Sequence, residues 1–178
     1  GLRERKRSMH EGGIRVPGLA RWPGHIKPGT TSEVPVIGSD VFPTMLAIAG
    51  VKPPVDRVLD GVNILPVLTG TVTKLDRPQP LYWRLNMAPN ARVAMRVDDW
   101  KILANAELTE FELYNLKTDA RETTDLKATE PQRFAALRDQ LLKHHAAVEA
   151  EGPDWWRHLG PSGLARVEGP AVKKGKKQ

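Results

Sequence analysis

The chain contains no cysteine among its 178 residues. This absence excludes disulfides, a thiolate nucleophile and cysteine metal sites, and it leaves the redox compartment open. Long apolar runs are also missing, because no stretch approaches the ~20 apolar residues that a membrane-spanning helix needs. The first residues, Gly1-Leu2-Arg3, include neither an initiator methionine nor an apolar targeting segment, so we expect an internal cut there.

The composition is that of a folded globular chain, with 40% hydrophobic and 27% charged residues. The net charge of +6 is concentrated at the two ends, in residues 3–7 and in the lysines of 173–177. Basic ends of this kind permit a second hypothesis, a non-catalytic module that binds anionic polymers. Nucleic acid is not expected as a partner, because the sequence shows neither an aromatic-interleaved basic face nor zinc-finger spacing.

The first half of the chain contains one clear helix signal. Ser39 or Asp40 supplies a capping oxygen, and Gly50 ends the helix. Its apolar face consists of Phe42, Met45, Leu46 and Ala49. We expect this face to pack in a core, since the spacing is helical.

The pattern changes to β-type runs after a proline-rich connecting segment. The runs are 81–85, 91–97, 100–104 and 110–116. A tight step at Asp98-Asp99 predicts a hairpin between the second and third runs. A helix beginning near Thr129 follows, and its stripe of Phe134, Leu137 and Leu141 predicts packing on the sheet. Strands followed by one packed helix give an α+β unit.

The most informative segment lies near the start of the chain. Lys6 stands five residues ahead of Glu11-Gly12-Gly13, and Trp22-Pro23-Gly24 follows. Adjacent glycines permit a bend with φ > 0. The apolar residues after the bend, which are Ile14, Val16 and Leu19, suit a buried strand.

This ordered set resembles the active-site lysine segment of the formylglycine-dependent (type I) sulfatases, in the alkaline-phosphatase-like superfamily. Similarity continues through 36–44, 59–70, 96–102 and 112–123, in the family's order. The resemblance implies an α/β fold: the C-terminal end of the large sulfatase α/β domain, followed by a small α+β domain with about four antiparallel strands and one helix. The domains expected are 1–70, 71–150 and a flexible basic tail at 151–178.

The activity implied by the resemblance is hydrolysis of a sulfate ester, on a sulfated glycan or an aryl sulfate. Phosphate-ester or phosphonate hydrolysis is the alternative within the same superfamily. The family also implies Ca²⁺ and a formylglycine made from Cys or Ser, yet the chain has no cysteine and no Ser-x-Pro-x-Arg. We therefore expect the chain to be inactive alone. A periplasmic or secreted location is implied by the family, whereas the oligomeric state is not indicated.

Lys6 is the catalytic residue that the resemblance assigns, and His10 is a candidate for substrate binding. Glu11 and Arg15 are read either as an acid and a base or as an ion pair that brackets the bend. No metal ligands are predicted. His144 and His145 are adjacent on a helix, so they point in different directions, and no third ligand is spaced to join them.

Overall fold

The computed structural model describes residues 1–85 and 92–151. It divides into two compact units, residues 1–14 with the chain from Tyr82 onward, and Arg15–Leu81. The helices are α1 (Glu11–Ile14), a short 3₁₀ helix (Gly38–Asp40), α2 (Val41–Ile48), α3 (Leu65–Leu68) and α4 (Pro131–Glu151). The strands are β1 (Leu81–Leu85), β2 (Arg92–Val97), β3 (Trp100–Asn105) and β4 (Phe111–Asn115).

The four strands form one sheet in the order β1-β2-β3-β4. The β2–β3 and β3–β4 pairs are antiparallel, with Val97 opposite Trp100 and Leu103 opposite Glu112. The turn between β2 and β3 places Asp98 at φ 51°, a left-handed conformation that Asp tolerates better than most residues. The predicted strands, their hairpin and the α+β class are thereby confirmed.

Successive residues of a strand point to opposite faces of the sheet. Both faces of this sheet are covered, because each contributes side chains to a buried cluster. One face, which includes Met95, Ile102 and Leu113, packs against Leu137 and Leu141 of α4. This contact confirms the predicted position of the last helix. The other face, which we call the loop face, packs Ala94, Leu103, Tyr114 and Leu116 against Met9.

Asp40 organises the second unit. Both oxygens of its carboxylate accept hydrogen bonds from Arg77, at 2.8 and 2.6 Å, and the amides of Val62 and Ile37 also donate to it. Burial alone would raise the pKa of Asp40, but these donors hold that pKa below its usual value. The predicted capping role is therefore wrong for Asp40, since its side chain caps no amide of α2.

The predicted apolar face of α2 is also wrong as a core. Phe42 is 53% and Met45 54% exposed, whereas Pro43 and Thr44 are buried. The Thr44 hydroxyl accepts a hydrogen bond from the amide of Ile64, so the buried side of α2 faces the segment that leads into α3. No described element covers the opposite side of the helix.

The strand expected after the bend is not formed. Val16 is 79% and Leu19 99% exposed, and residues 15–20 lie outside the described sheet. A strand needs a neighbour to satisfy its backbone groups, and no described strand lies beside this segment.

The predicted domain limits remain predictions, although residues 1–14 group with the sheet rather than with 15–81. From residue 152 onward the predicted basic tail lies outside the described residues. In the part of the chain that is described, no helix is both long and apolar enough to cross a bilayer.

Candidate functional site

Residues 3–12 form a closed loop, called here the Lys6 loop. The amide of Gly12 donates to the carbonyl of Arg3 at 2.9 Å, which joins the two ends of the loop. Inside it, the amide of Ser8 donates to the carbonyl of Arg5 at 3.1 Å and makes a tight turn around Lys6. Lys6 is exposed at this turn. Within the described residues, its ammonium group has no hydrogen-bond or ion-pair partner.

The two glycines of the motif are needed because backbone atoms of the loop pass very close to them, and not because they adopt a left-handed conformation. Neither has a positive φ, and both lie in the single helical turn α1. A Cβ on Gly12 would stand 2.3 Å from the carbonyl oxygens of Arg3 and Glu4, and one on Gly13 would stand 2.1 Å from that of Ser8. The predicted φ > 0 bend is therefore wrong, but glycine is still required at both positions.

Left-handed backbone occurs instead at Glu4 (φ 60°) and Arg7 (φ 77°), on either side of Lys6. Each such residue costs about 1–3 kcal/mol and persists only where its surroundings hold it. The contacts between the Lys6 loop and the sheet supply that restraint.

His10 links the inside of the loop to β4. Its side chain is 2% exposed. Nδ1 lies 3.2 Å from the Ser8 hydroxyl and 3.4 Å from a Glu4 carboxylate oxygen, while Nε2 lies 3.2 Å from Oε2 of Glu112. Both ring nitrogens thus face protein groups. Substrate binding by His10 stays a prediction, and the geometry supports a structural link within the loop.

Glu112 is the centre of a polar cluster on the loop face. Besides His10, its Oε2 accepts a hydrogen bond from the Tyr114 hydroxyl at 2.5 Å and lies 3.5 Å from the Arg3 guanidinium, while Oε1 accepts one from Arg92 at 3.1 Å. The hydrogen bond with His10, aided by that from Tyr114, lowers the pKa of Glu112 to about 2 despite burial. Burial and the nearby Glu112 carboxylate raise the pKa of Tyr114. At neutral pH Glu112 is therefore a carboxylate.

Arg3 fastens the start of the loop to the same cluster. Its guanidinium donates to the Tyr114 hydroxyl at 2.7 Å and to the carbonyl of Glu122 at 2.8 Å. Arg3 and His10, from opposite ends of the loop, therefore meet around one carboxylate.

The end of the loop is held by a second, fully buried cluster. Lys101 of β3 donates to Oε1 of Glu11 at 2.9 Å and lies 2.8 Å from Oε1 of Glu122. The second contact is an ion pair without hydrogen-bond geometry. Oε2 of Glu122 also accepts a hydrogen bond from the amide of Glu11 at 2.6 Å. A buried ammonium requires such partners, because an isolated buried charge is very costly.

Sequence reasoning placed Lys6 and Glu11 in one segment but missed Lys101, Glu112 and Glu122. One signal was present, since Lys101 stands two residues before Leu103 and therefore lies on the same face of β3 as that apolar side chain. A lysine at such a position requires buried carboxylates. The sequence does not show which carboxylates these are.

The described residues do not fit the metal or the nucleophile that the resemblance implies. They contain no group of three His, Cys, Asp or Glu side chains arranged to hold a metal ion. His145 instead makes a 2.7 Å hydrogen bond between its Nδ1 and the Tyr82 hydroxyl. Burial raises the pKa of Tyr82 to about 12 and, with nearby Arg84 and His144, lowers that of His145.

Comparisons with known proteins find similarity to sulfatases. The family model for the C-terminal part of N-sulphoglucosamine sulphohydrolase matches residues 4–150. A sulfatase of Formosa agariphila is 38% identical over 169 residues, which cover 82% of this chain and 30% of that protein. Human arylsulfatase A is 34% identical over 200 residues, which cover 97% of this chain and 37% of that protein.

Among solved structures, the crystal structure of Ps i-CgsB has a TM-score of 0.70 and 29% sequence identity. The match covers 80% of this chain and 31% of that one. The chain therefore spans about a third of the length of these proteins.

Proposed function

Because the chain belongs to the sulfatase family defined by the C-terminal part of N-sulphoglucosamine sulphohydrolase, we propose that it is the C-terminal part of an enzyme that hydrolyses sulfate esters. Lys6 is the residue through which it acts. The observation that carries this proposal is an exposed ammonium that has no partner among the described residues, at the turn of a loop that is fastened to the sheet.

The chemistry of the reaction suits such a group. A sulfate ester is anionic, and negative charge builds on the bridging oxygen as its bond to sulfur breaks. A fixed ammonium near that oxygen stabilises the transition state more than the ground state. Lysine provides a compact point charge with three donors. The neighbouring Arg5 and Arg7 are also exposed, and they add positive charge that attracts an anionic substrate.

The test is Lys6→Ala in the full-length protein that contains this chain, assayed on an aryl sulfate. We expect kcat to fall about 100- to 1,000-fold, because a preorganised donor to the developing charge is lost. Arg5→Ala is the matched control, since it removes the same charge from the same exposed turn; it should raise KM at most and leave kcat unchanged. Turnover that is unchanged by Lys6→Ala would remove Lys6 from the mechanism.

The same assay addresses the substrate class. Sulfate and phosphate monoesters of one phenol, supplied in competition, separate a sulfatase from a phosphate-ester hydrolase of the same superfamily. We propose a sulfated glycan or aryl sulfate as substrate and a periplasmic or secreted location.

The chain on its own should be inactive, because it has no Cys/Ser-x-Pro-x-Arg. The polymer-binding alternative rests partly on the lysines of 173–177, which lie outside the described residues.

A further inference from the structure

We propose that Glu112 is a positioning residue for Lys6, so that the small sheet sets the location of the catalytic ammonium through one partly buried carboxylate. This inference rests on the proposed function, in which Lys6 contacts the sulfate group. Glu112 lies on β4, 106 positions after Lys6 in the sequence, and it acts on the lysine only through other side chains.

The Lys6 loop closes on itself through its own backbone hydrogen bonds, but those bonds do not attach it to the sheet. Residues 4–7 are exposed, and no regular secondary structure is present before Glu11. The left-handed backbone at Glu4 and Arg7 makes the observed conformation costly for a free chain. The position of Lys6 therefore depends on contacts made by the remaining residues of the loop.

Two of those contacts meet at Glu112. Its Oε2 faces Arg3 from the start of the loop and Nε2 of His10 from the end. His10 also contacts the middle of the loop, because its Nδ1 lies within 3.4 Å of both the Ser8 hydroxyl and the Glu4 carboxylate. Glu4 and Ser8 each stand two residues from Lys6. A continuous path of polar contacts thus joins β4 to both sides of the lysine.

The path depends on the charge of Glu112. One oxygen faces His10, Tyr114 and Arg3, and a carboxylate has the lone pairs to accept from several donors at once. A glutamine has nearly the same shape, but it is neutral and half of its head group is a donor. Misplacing a catalytic group by about 1 Å can cost roughly 100-fold in rate. Glu112→Gln should therefore act on kcat without removing any group that touches the substrate.

The experiment is a double-mutant cycle of Glu112→Gln and Lys6→Ala in the full-length protein. We expect Glu112→Gln alone to lower kcat about 10- to 100-fold, with KM changed less than about twofold, since positioning serves the transition state. In the Lys6→Ala background, Glu112→Gln should have no further effect. Glu110→Gln is the matched control, an exposed glutamate next to the same strand. A purely structural role would lower the yield of folded enzyme but would not make the effect on kcat depend on Lys6.

A second variant tests the same path of contacts if Glu112→Gln does not fold. Ser8→Ala removes one hydroxyl from the far side of His10 and leaves Glu112 intact. It should also lower kcat, by a smaller factor that again vanishes in the Lys6→Ala background.

The outcomes separate this inference from the proposed function. If Lys6→Ala turns over like the wild type, the proposed role of Lys6 fails and the positioning role falls with it. If Lys6→Ala is impaired but Glu112→Gln matches Glu110→Gln, only the positioning role is overturned. A loss on Glu112→Gln of equal size with and without Lys6 would also overturn it.

Discussion

At the scale of single residues, the contacts on the loop face of the sheet bury three charged side chains. Lys101 and Glu122 are 0% exposed and Glu11 is 3% exposed. Such a cluster tolerates no partial loss, because removing one partner leaves uncompensated charge in a poorly solvated site. Its function in this chain is to join α1, β3 and the segment after β4.

We predict that Lys101→Met destabilises the chain by about 3–5 kcal/mol, since it removes the buried ammonium that two buried carboxylates share. The matched control is Lys127→Met, because Lys127 is 48% exposed in its pair with Asp125. A surface pair contributes at most about 1 kcal/mol. Urea unfolding of both variants measures the difference, and equal midpoints would contradict the assigned role of Lys101.

A second prediction concerns pH. The pKa of Glu112 is lowered from 4.5 to about 2 in the folded chain, chiefly by the hydrogen bond with His10. Its contribution to stability is therefore fully present above pH 4.5 and is lost as the pH falls toward 2. The difference in unfolding free energy between the wild type and Glu112→Gln should shrink over this range. A difference that stays constant from pH 6 to pH 2 would show that Glu112 has no depressed pKa.

At the scale of elements, the Lys6 loop and the single turn α1 form one tightly closed piece. The carbonyl of Arg3 receives the amide of Gly12, and the space between them excludes any side chain at position 12. Closure of the loop and its attachment to the sheet are therefore coupled. A change at one glycine should loosen contacts made by several other residues.

We expect Gly12→Ala to destabilise the chain by about 1–3 kcal/mol, because its Cβ meets two backbone oxygens that cannot move independently. Gly18→Ala is the control, since its Cβ would meet nothing within 4 Å. Thermal unfolding gives the stability, and amide exchange of residues 3–12 reports the loop. Faster exchange in this loop should accompany Gly12→Ala alone, and exchange that matches Gly18→Ala would contradict the closure described here.

At the scale of the whole molecule, the described chain buries its apolar side chains unevenly. The unit that contains the sheet has cores on both faces, with Ile102, Leu113 and Leu141 at 0% exposure. In the unit of residues 15–81, large apolar side chains on and after α2 remain exposed. Helix spacing predicted an apolar face of α2 correctly, but burial of that face requires a covering element.

This contrast gives a prediction. Leu141→Ala should cost about 2–5 kcal/mol, because it opens a cavity in a filled core. Phe42→Ser should change the unfolding free energy by less than about 0.5 kcal/mol, since Phe42 is 53% exposed. Denaturant unfolding of the chain, followed by signals from each unit, measures both effects. A comparable loss from Phe42→Ser would mean that α2 is covered in solution.

Much of the fold was predictable from local sequence. The β-type run at 91–97, the Asp98-Asp99 step and the apolar stripe of α4 are short-range patterns, and the structure confirms a strand at Arg92–Val97, a turn and a packed helix there, although β2 is buried on both faces rather than half-buried. The order of Lys6, Glu11 and the two glycines likewise indicated the family. The predicted buried strand at 14–19 was wrong, because strand formation depends on a neighbour and not on residue type alone.

The sequence by itself determined the strands, the last helix, the family and the candidate lysine, because each of these depends on residues close together in the chain. Only the tertiary structure decided what holds that lysine. Glu11 meets Lys101 across 90 residues and Glu122 across 111, and His10 meets Glu112 across 102. Such contacts depend on which face each strand presents and on where a loop crosses it. Local periodicity does not contain that information.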